Sequence, residues 1–230
     1  MLAVLALGFL LGMRHATDSD HVVAVTAIVS RTRTRRAALW IGMLWGLGHG
    51  TTVLGVGSAI VLFGWIIPPR LGLSMEMGVA VMLIVLGAIN LTGTLRQIER
   101  TAHGHPNDEP TPELTSSRSW VGAARPIVIG VVHGLAGSAA IALLVLASIR
   151  SAPLALAYLA VFGIGTVAGM MLITSAMALP LSALNRRIRG SERRLPRIAG
   201  VLSLAFGLFL AYQIGVTEGL LTDHPHWSPY

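Results

Sequence analysis

A chain of 230 residues that is 53% hydrophobic and 12% charged, with a mean hydropathy of +0.71, is composed as a membrane protein and fits a soluble domain badly. All 17 basic residues are Arg, and the absence of Lys excludes P-loop ATPases, Schiff-base enzymes and retinal-type pigments, each of which needs a lysine amine. The absence of Cys excludes disulfides, iron–sulfur clusters and thiolate sites, so a metal would have to be held by imidazole, carboxylate, thioether or backbone oxygen.

A spanning helix needs about 20 predominantly apolar residues. Six runs meet that requirement: 2–29, 37–64, 73–95, 125–149, 154–184 and 196–217. The expected fold class is therefore all-α, a polytopic transmembrane bundle of six helices in two three-helix halves. The first run is unusual because Arg14, His15, Asp18, Asp20 and His21 interrupt it. An ionised group at mid-membrane costs about 2.5 to 3.5 kcal/mol, so three of them offset most of the gain from its apolar residues. Such a segment belongs inside a bundle with its polar stripe turned away from lipid. No basic region precedes Leu2 and no small-residue cleavage site follows Leu11, so a removable signal peptide is not expected.

On an ideal helix at about 100° per residue, His15, Asp18 and His21 share one face, and Arg14 reaches Asp18 one turn on. Asp20 falls outside that arc. It can join the same site only if the helix unwinds between about Arg14 and Asp20, as at the ion sites of transporters. The alternative reading of these residues is a buried Arg14–Asp18 ion pair with histidines bonded to backbone carbonyls.

His49 is the only ionisable residue of the second run and lies near its middle. His133 lies about 6 Å from the middle of the fourth run, at about 1.5 Å per residue. Three separate runs thus bring histidine to one level, and the small neighbours Gly48, Gly50, Gly134, Gly137 and Ser138 leave room for an ion. The candidate metal ligands are His15, Asp18, Asp20, His21, His49 and His133. Imidazole with carboxylate suits divalent nickel, cobalt or zinc, and no cofactor beyond such a transported ion is expected. Met75, Met77 and Met82 read as packing rather than copper ligands. The pairs His103/His105 and His224/His226 read as surface residues.

The gaps after the first, third and fifth runs, with their flanks, hold fourteen arginines, against Arg70 and Arg150 in the other two. Cytoplasmic loops collect arginine, so these three gaps are expected in the cytoplasm and both termini outside, in a cytoplasmic membrane. A pI near 11.4 would suggest nucleic acid for a soluble chain, but these arginines act as topology signals and no nucleic-acid partner is expected. Residues 96–124, rich in Pro, Ser, Thr and acid, form a flexible cytoplasmic linker between a first half (1–95) and a second half with its external tail (125–230).

The stretch RHATDSDH (14–21) contains His-x4-Asp-His and resembles the signature of the nickel/cobalt transporter family, and LGHGTTV (47–53) resembles that family's second motif. AGMMLIT (168–174) resembles a later family segment, although Ile173 stands where that segment carries Asp. HGLAGSAA (133–140) is similar to the urease-accessory branch of nickel-permease-like proteins. The resemblance implies uptake of nickel or cobalt, with His15, Asp20, His21 and His49 as functional positions and nickel-enzyme maturation proteins as partners. It favours Asp20 where helical projection favours Asp18. Family members commonly carry a helix before the signature helix, and an external N-terminus is what its loss would produce.

The resulting expectation is a non-enzymatic permease moving a divalent transition metal inward, driven by membrane potential. The alternatives are an exporter, proton-coupled or otherwise, and a membrane protein that binds metal without transporting it. An intramembrane Ser–His protease at Gly137–Ser138 would need a histidine on a later run, and none is present.

Overall fold

The structure is a computed structural model that describes residues 1–30, 32, 34–64, 67–93, 120–135, 149, 151–187, 191–222 and 225–227. Among these, all regular structure is helical: α1 (Leu2–His15), α2 (Ser19–Val29), α3 (Arg35–Phe63), α4 (Pro69–Thr92), α5 (Trp120–Leu135), α6 (Ala152–Arg187) and α7 (Ser191–Tyr212), the last running into a π-turn at Gln213–Thr217. Four stretches are long and apolar enough to cross a membrane: Arg35–Phe63, Pro69–Thr92, Ala152–Leu181 and Arg194–Thr217. Leu2–His15, Ser19–Val29 and Ala124–Leu135 are shorter apolar helices. Leu47, Val81, Leu172, Leu208 and Phe209 point outward, as a bundle in lipid requires. The chain is a multi-pass membrane protein. Residues 96–119 of the expected linker, 136–148 of the fourth run, and His103, His105, His224, Gly137 and Ser138 lie outside the described residues, whereas 120–124 of that linker are helical and open α5.

Helix ends follow local chemistry. The Thr34 hydroxyl accepts the Ala37 N–H at 3.2 Å and caps the start of α3. Gly64, at φ +60°, supplies the left-handed residue that stops it. Pro69 opens α4, where its missing N–H costs nothing.

The first run, 2–29, is not one helix. It breaks at Ala16–Asp18, where the Thr17 hydroxyl and amide both turn back to the Arg14 carbonyl, at 2.6 and 2.8 Å, and the Asp18 amide to that of His15 at 3.1 Å. Asp18 itself is extended, at φ −61° and ψ 150°, before α2 begins. This is the unwound turn that the motif required.

Small residues set the packing of the helices around this break. On α1, a Cβ at Gly12 would run into the backbone of Phe162 and Thr166, and on α6 one at Gly165 would strike the Phe9 carbonyl. Such close approach is how helices associate where lipid removes the hydrophobic drive. α6 also packs against α3, α5 against α3, and α4 against α7. Helices from before and after the linker therefore interleave. Asn90 on α4 donates to the Ala27 carbonyl on α2 at 2.8 Å, and Arg35 on α3 to the Ser175 hydroxyl on α6 at 3.0 Å. The first joins the ends of α2 and α4, and the second ties the start of α3 to α6.

Met82 packs against the main core and Met77 against the cluster of Leu73, Ala80 and Ile214, in line with a packing role. The Trp227 indole lies against Gly72 and donates to Glu76 on α4 at 2.9 Å.

Candidate metal centre

The break delivers His15 on the last turn of α1 and Asp20 and His21 on the first turn of α2. Helix ends carry fixed partial charge, negative at a C-terminus and positive at an N-terminus. The end of α1 therefore favours a cation beside His15. The start of α2 opposes one, and the Asp20 carboxylate offsets that opposition.

His49 comes from the middle of α3 and His133 from α5. The backbones of these two helices approach closely, because a Cβ at Gly134 would lie 2.6 Å from the His49 carbonyl. His21, His49 and His133 are fully buried and His15 is 5% exposed. Adjacent rings lie at contact distance, with centroids 4.7 Å apart for His15 and His21, 4.9 Å for His15 and His49, 5.2 Å for His21 and His49, and 4.5 Å for His21 and His133.

The carboxylates fix the ring tautomers. A carboxylate only accepts, so His15 Nδ1 donates to Asp18 at 2.9 Å and His21 Nδ1 donates to Asp20 at 3.0 Å. Each neutral ring then has its lone pair on Nε2. Carboxylate behind histidine is the usual support of a metal-binding imidazole, since it orients the ring and raises its basicity. His15 Nε2 lies 3.0 Å from His49 Nε2, so in the neutral cluster His49 carries the proton between them. His21 Nε2, His49 Nδ1 and His133 Nδ1 are buried with no hydrogen-bond partner among the described residues. His133 Nε2 approaches Asp20 at 3.3 Å, an electrostatic contact without hydrogen-bond geometry.

Two sets of three residues each bring one ligand atom apiece within 4.8 Å of one another: His15, His21 and His49, and Asp20, His21 and His133. Five of the six residues expected from the sequence therefore meet. The sixth, Asp18, reaches the group only through the far nitrogen of His15, and its side chain is 37% exposed.

Two local expectations are corrected. Arg14 and Asp18 do not pair: the turn at Ala16–Asp18 destroys the i, i+4 register, Arg14 is exposed and Asp18 turns to His15. For the same reason His15, Asp18 and His21 do not converge as they would on an unbroken helix, and Asp20 comes inward. Sequence reasoning also missed Trp45, whose buried ring lies parallel to His21 at 5.8 Å and edge-on to His133 at 5.4 Å. Its position four residues before His49, on the same helix face, was the available signal. His226 is exposed, as a surface histidine should be.

Comparison with known proteins agrees with this architecture. Residues 1–188 match the NicO family, described as high-affinity nickel-transport protein. The chain is 34% identical over 223 residues to the urease accessory protein UreH of Bacillus sp. (strain TB-90), covering 96% of this chain and 95% of that protein. It is 26% identical over 206 residues to the chloroplast protein FOR GROWTH AND FERTILITY 2 of Arabidopsis thaliana, covering 87% of this chain and 54% of that protein. No solved structure matches. A buried imidazole–carboxylate cluster at a broken membrane helix is what such a transporter needs, and the chain belongs to the NicO family of high-affinity nickel-transport proteins.

Proposed function

We propose that the protein takes up nickel or cobalt ions across the cytoplasmic membrane, using the cluster of His15, Asp20, His21, His49 and His133 as its mid-membrane site, with Asp18 supporting His15. The observation that carries this reading is the burial of four imidazoles, three of them with unpartnered ring nitrogens, beside two carboxylates, where a membrane helix is broken. Neutral imidazoles supply the bonds, and Asp18 and Asp20 together supply the charge that balances a divalent ion. Unsatisfied buried ring nitrogens cost free energy, and a ligand that satisfies them recovers it.

In the full proposal α1 and α2 form one broken span in a bundle of six, the arginine-rich gaps lie in the cytoplasm and both termini lie outside. The chain has no lysine for a P-loop, so the gradient must do the work. An inside-negative potential gives about 2.3 kcal/mol per charge per 100 mV, hence about 4.6 for a divalent ion and roughly 10³-fold accumulation. Since one relative is named a urease accessory protein, nickel-enzyme maturation proteins are proposed as recipients of the cargo.

The test is radionickel and radiocobalt flux into proteoliposomes carrying an imposed potential, with zinc and manganese in parallel. Potential-dependent nickel or cobalt entry that is lost in the His15→Ala and His49→Ala proteins is expected. Binding without flux would replace the transport reading with that of a metal-binding accessory protein.

A further inference from the structure

The geometry points to two adjoining cation positions that share His21, with the ion handed from one to the other along the axis of transport. This rests on the transport reading above and concerns how the cluster works.

The first position is formed by His15, His21 and His49, the second by Asp20, His21 and His133. Ligand atoms around one ion at about 2.1 Å lie within about 4.2 Å of one another, so each set of three needs only a small closure to bind. His133, His15 and His49 all contact the ring of His21. Their chemistry also differs. The first set is all imidazole. The second replaces two imidazoles with a carboxylate and His133, neither of whose ring nitrogens has a hydrogen-bond partner among the described residues.

The two positions draw their separate motif ligands from opposite sides of the helix break. His15 closes α1, whereas Asp20 opens α2, the half-helix that runs toward the arginine-rich end. Trp45, one turn of α3 nearer that end than His49, lies against both His21 and His133. The chain therefore passes from the first position to the second on its way to the arginine-rich gaps, with His133 level with His49 on the neighbouring helix. Two divalent ions that close together would repel strongly in a buried site, and both positions need His21, so they are filled one at a time. In the second position His21 binds through Nδ1, the nitrogen beside Asp20, so the ring proton moves from Nδ1 to Nε2 as the ion passes, and the two other ligands are exchanged in turn.

This assigns His133 to transit rather than initial capture. The test uses Co(II) as probe, with equilibrium dialysis of the purified protein in nanodiscs and flux in proteoliposomes. Wild type is expected to bind one cobalt per chain. His49→Ala should weaken that binding about tenfold or more, whereas His133→Ala should bind one cobalt within about threefold of wild type and lose about tenfold or more of the saturated flux. His133→Asn, which keeps a polar side chain in the cavity, covers the case in which the Ala protein does not fold. Two cobalt ions per chain, loss of binding in His133→Ala and His133→Asn equal to that in His49→Ala, or wild-type flux in either His133 protein would each overturn the hand-off. A wild-type protein that neither binds nor moves cobalt would instead remove the transport reading beneath it.

Discussion

The Nε2 atoms of His15 and His49 face each other at 3.0 Å across the junction of α1 and α3, although 34 residues separate them in the chain. The far nitrogen of His15 is already committed to Asp18, so its Nε2 presents a lone pair, and the proton between the two rings belongs to His49. A divalent ion can take the place of that proton once it moves to His49 Nδ1. Replacing either residue by Ala should therefore weaken nickel binding about 10- to 100-fold, a loss of the size that even supporting residues produce at metal sites. Titration calorimetry with nickel in nanodiscs measures it. Wild-type affinity in either variant would exclude this pair from the site.

The two carboxylates differ in what they touch, and their substitutions should differ accordingly. Asp18 contacts His15 alone and is partly exposed, whereas Asp20 touches both His21 and His133 and is 15% exposed. Asp18→Asn keeps an acceptor for His15 Nδ1 and should cost about tenfold in nickel affinity. Asp20→Asn removes the support of His21, the ring that both positions share, together with the buried charge nearest the cluster, and should cost clearly more. Equal losses in the two titrations would contradict the separation of their roles.

Much of this site was legible in the sequence because it depends on spacing. An ideal helix cannot aim His15, Asp20 and His21 at one point, so a break was required, and the turn at Ala16–Asp18 supplies it. His49 was marked by its place near the middle of its span, and His133 by the same reasoning on a run of which the structure describes a helix ending at Leu135. The partner of Asp18 was not legible, because an unwound turn erases the helical register from which Arg14 was inferred. Trp227 and Glu76 lie 151 residues apart, and nothing local announces their hydrogen bond. Four of the six expected spans followed from apolar length, while the first run breaks and the fourth is described only as a shorter helix; the pairing of helices depends on where glycines allow backbones to touch.

That pairing is open to a direct stability test. A Cβ at Gly12 would meet the backbone of Phe162 and Thr166, and backbone cannot rotate aside. Gly12→Val should force α1 away from α6 and cost at least the 1 to 3 kcal/mol that overpacking typically costs, about. Because His15 lies on the next turn of α1, nickel affinity should fall with it. Gly55 on α3 has open space around its Cβ position, so Gly55→Ala should leave stability within about 0.5 kcal/mol of wild type or raise it slightly, as Ala suits a helix better than Gly. Thermal unfolding in detergent compares the two. A Gly12→Val protein as stable as Gly55→Ala would show that the α1–α6 contact is looser than described.

Proton competition separates a working metal site from a buried polar cluster held together for structure alone. An imidazole must offer a lone pair to bind an ion, so protons and nickel compete for the same ring nitrogens. Protonation favours the empty cluster and deprotonation the loaded one, and nickel affinity should therefore fall as pH is lowered. Several rings share the ion, so the fall should be steeper than one proton per unit of pH allows. His49→Ala removes one competing nitrogen and should flatten the slope as well as weaken binding, while His226→Ala, on an exposed residue away from the cluster, should change neither. Nickel titrations in nanodiscs at a series of pH values give both quantities. Affinity independent of pH in the wild-type protein would mean that imidazoles do not bind the ion, and the cluster would then be a structural network of His–Asp pairs.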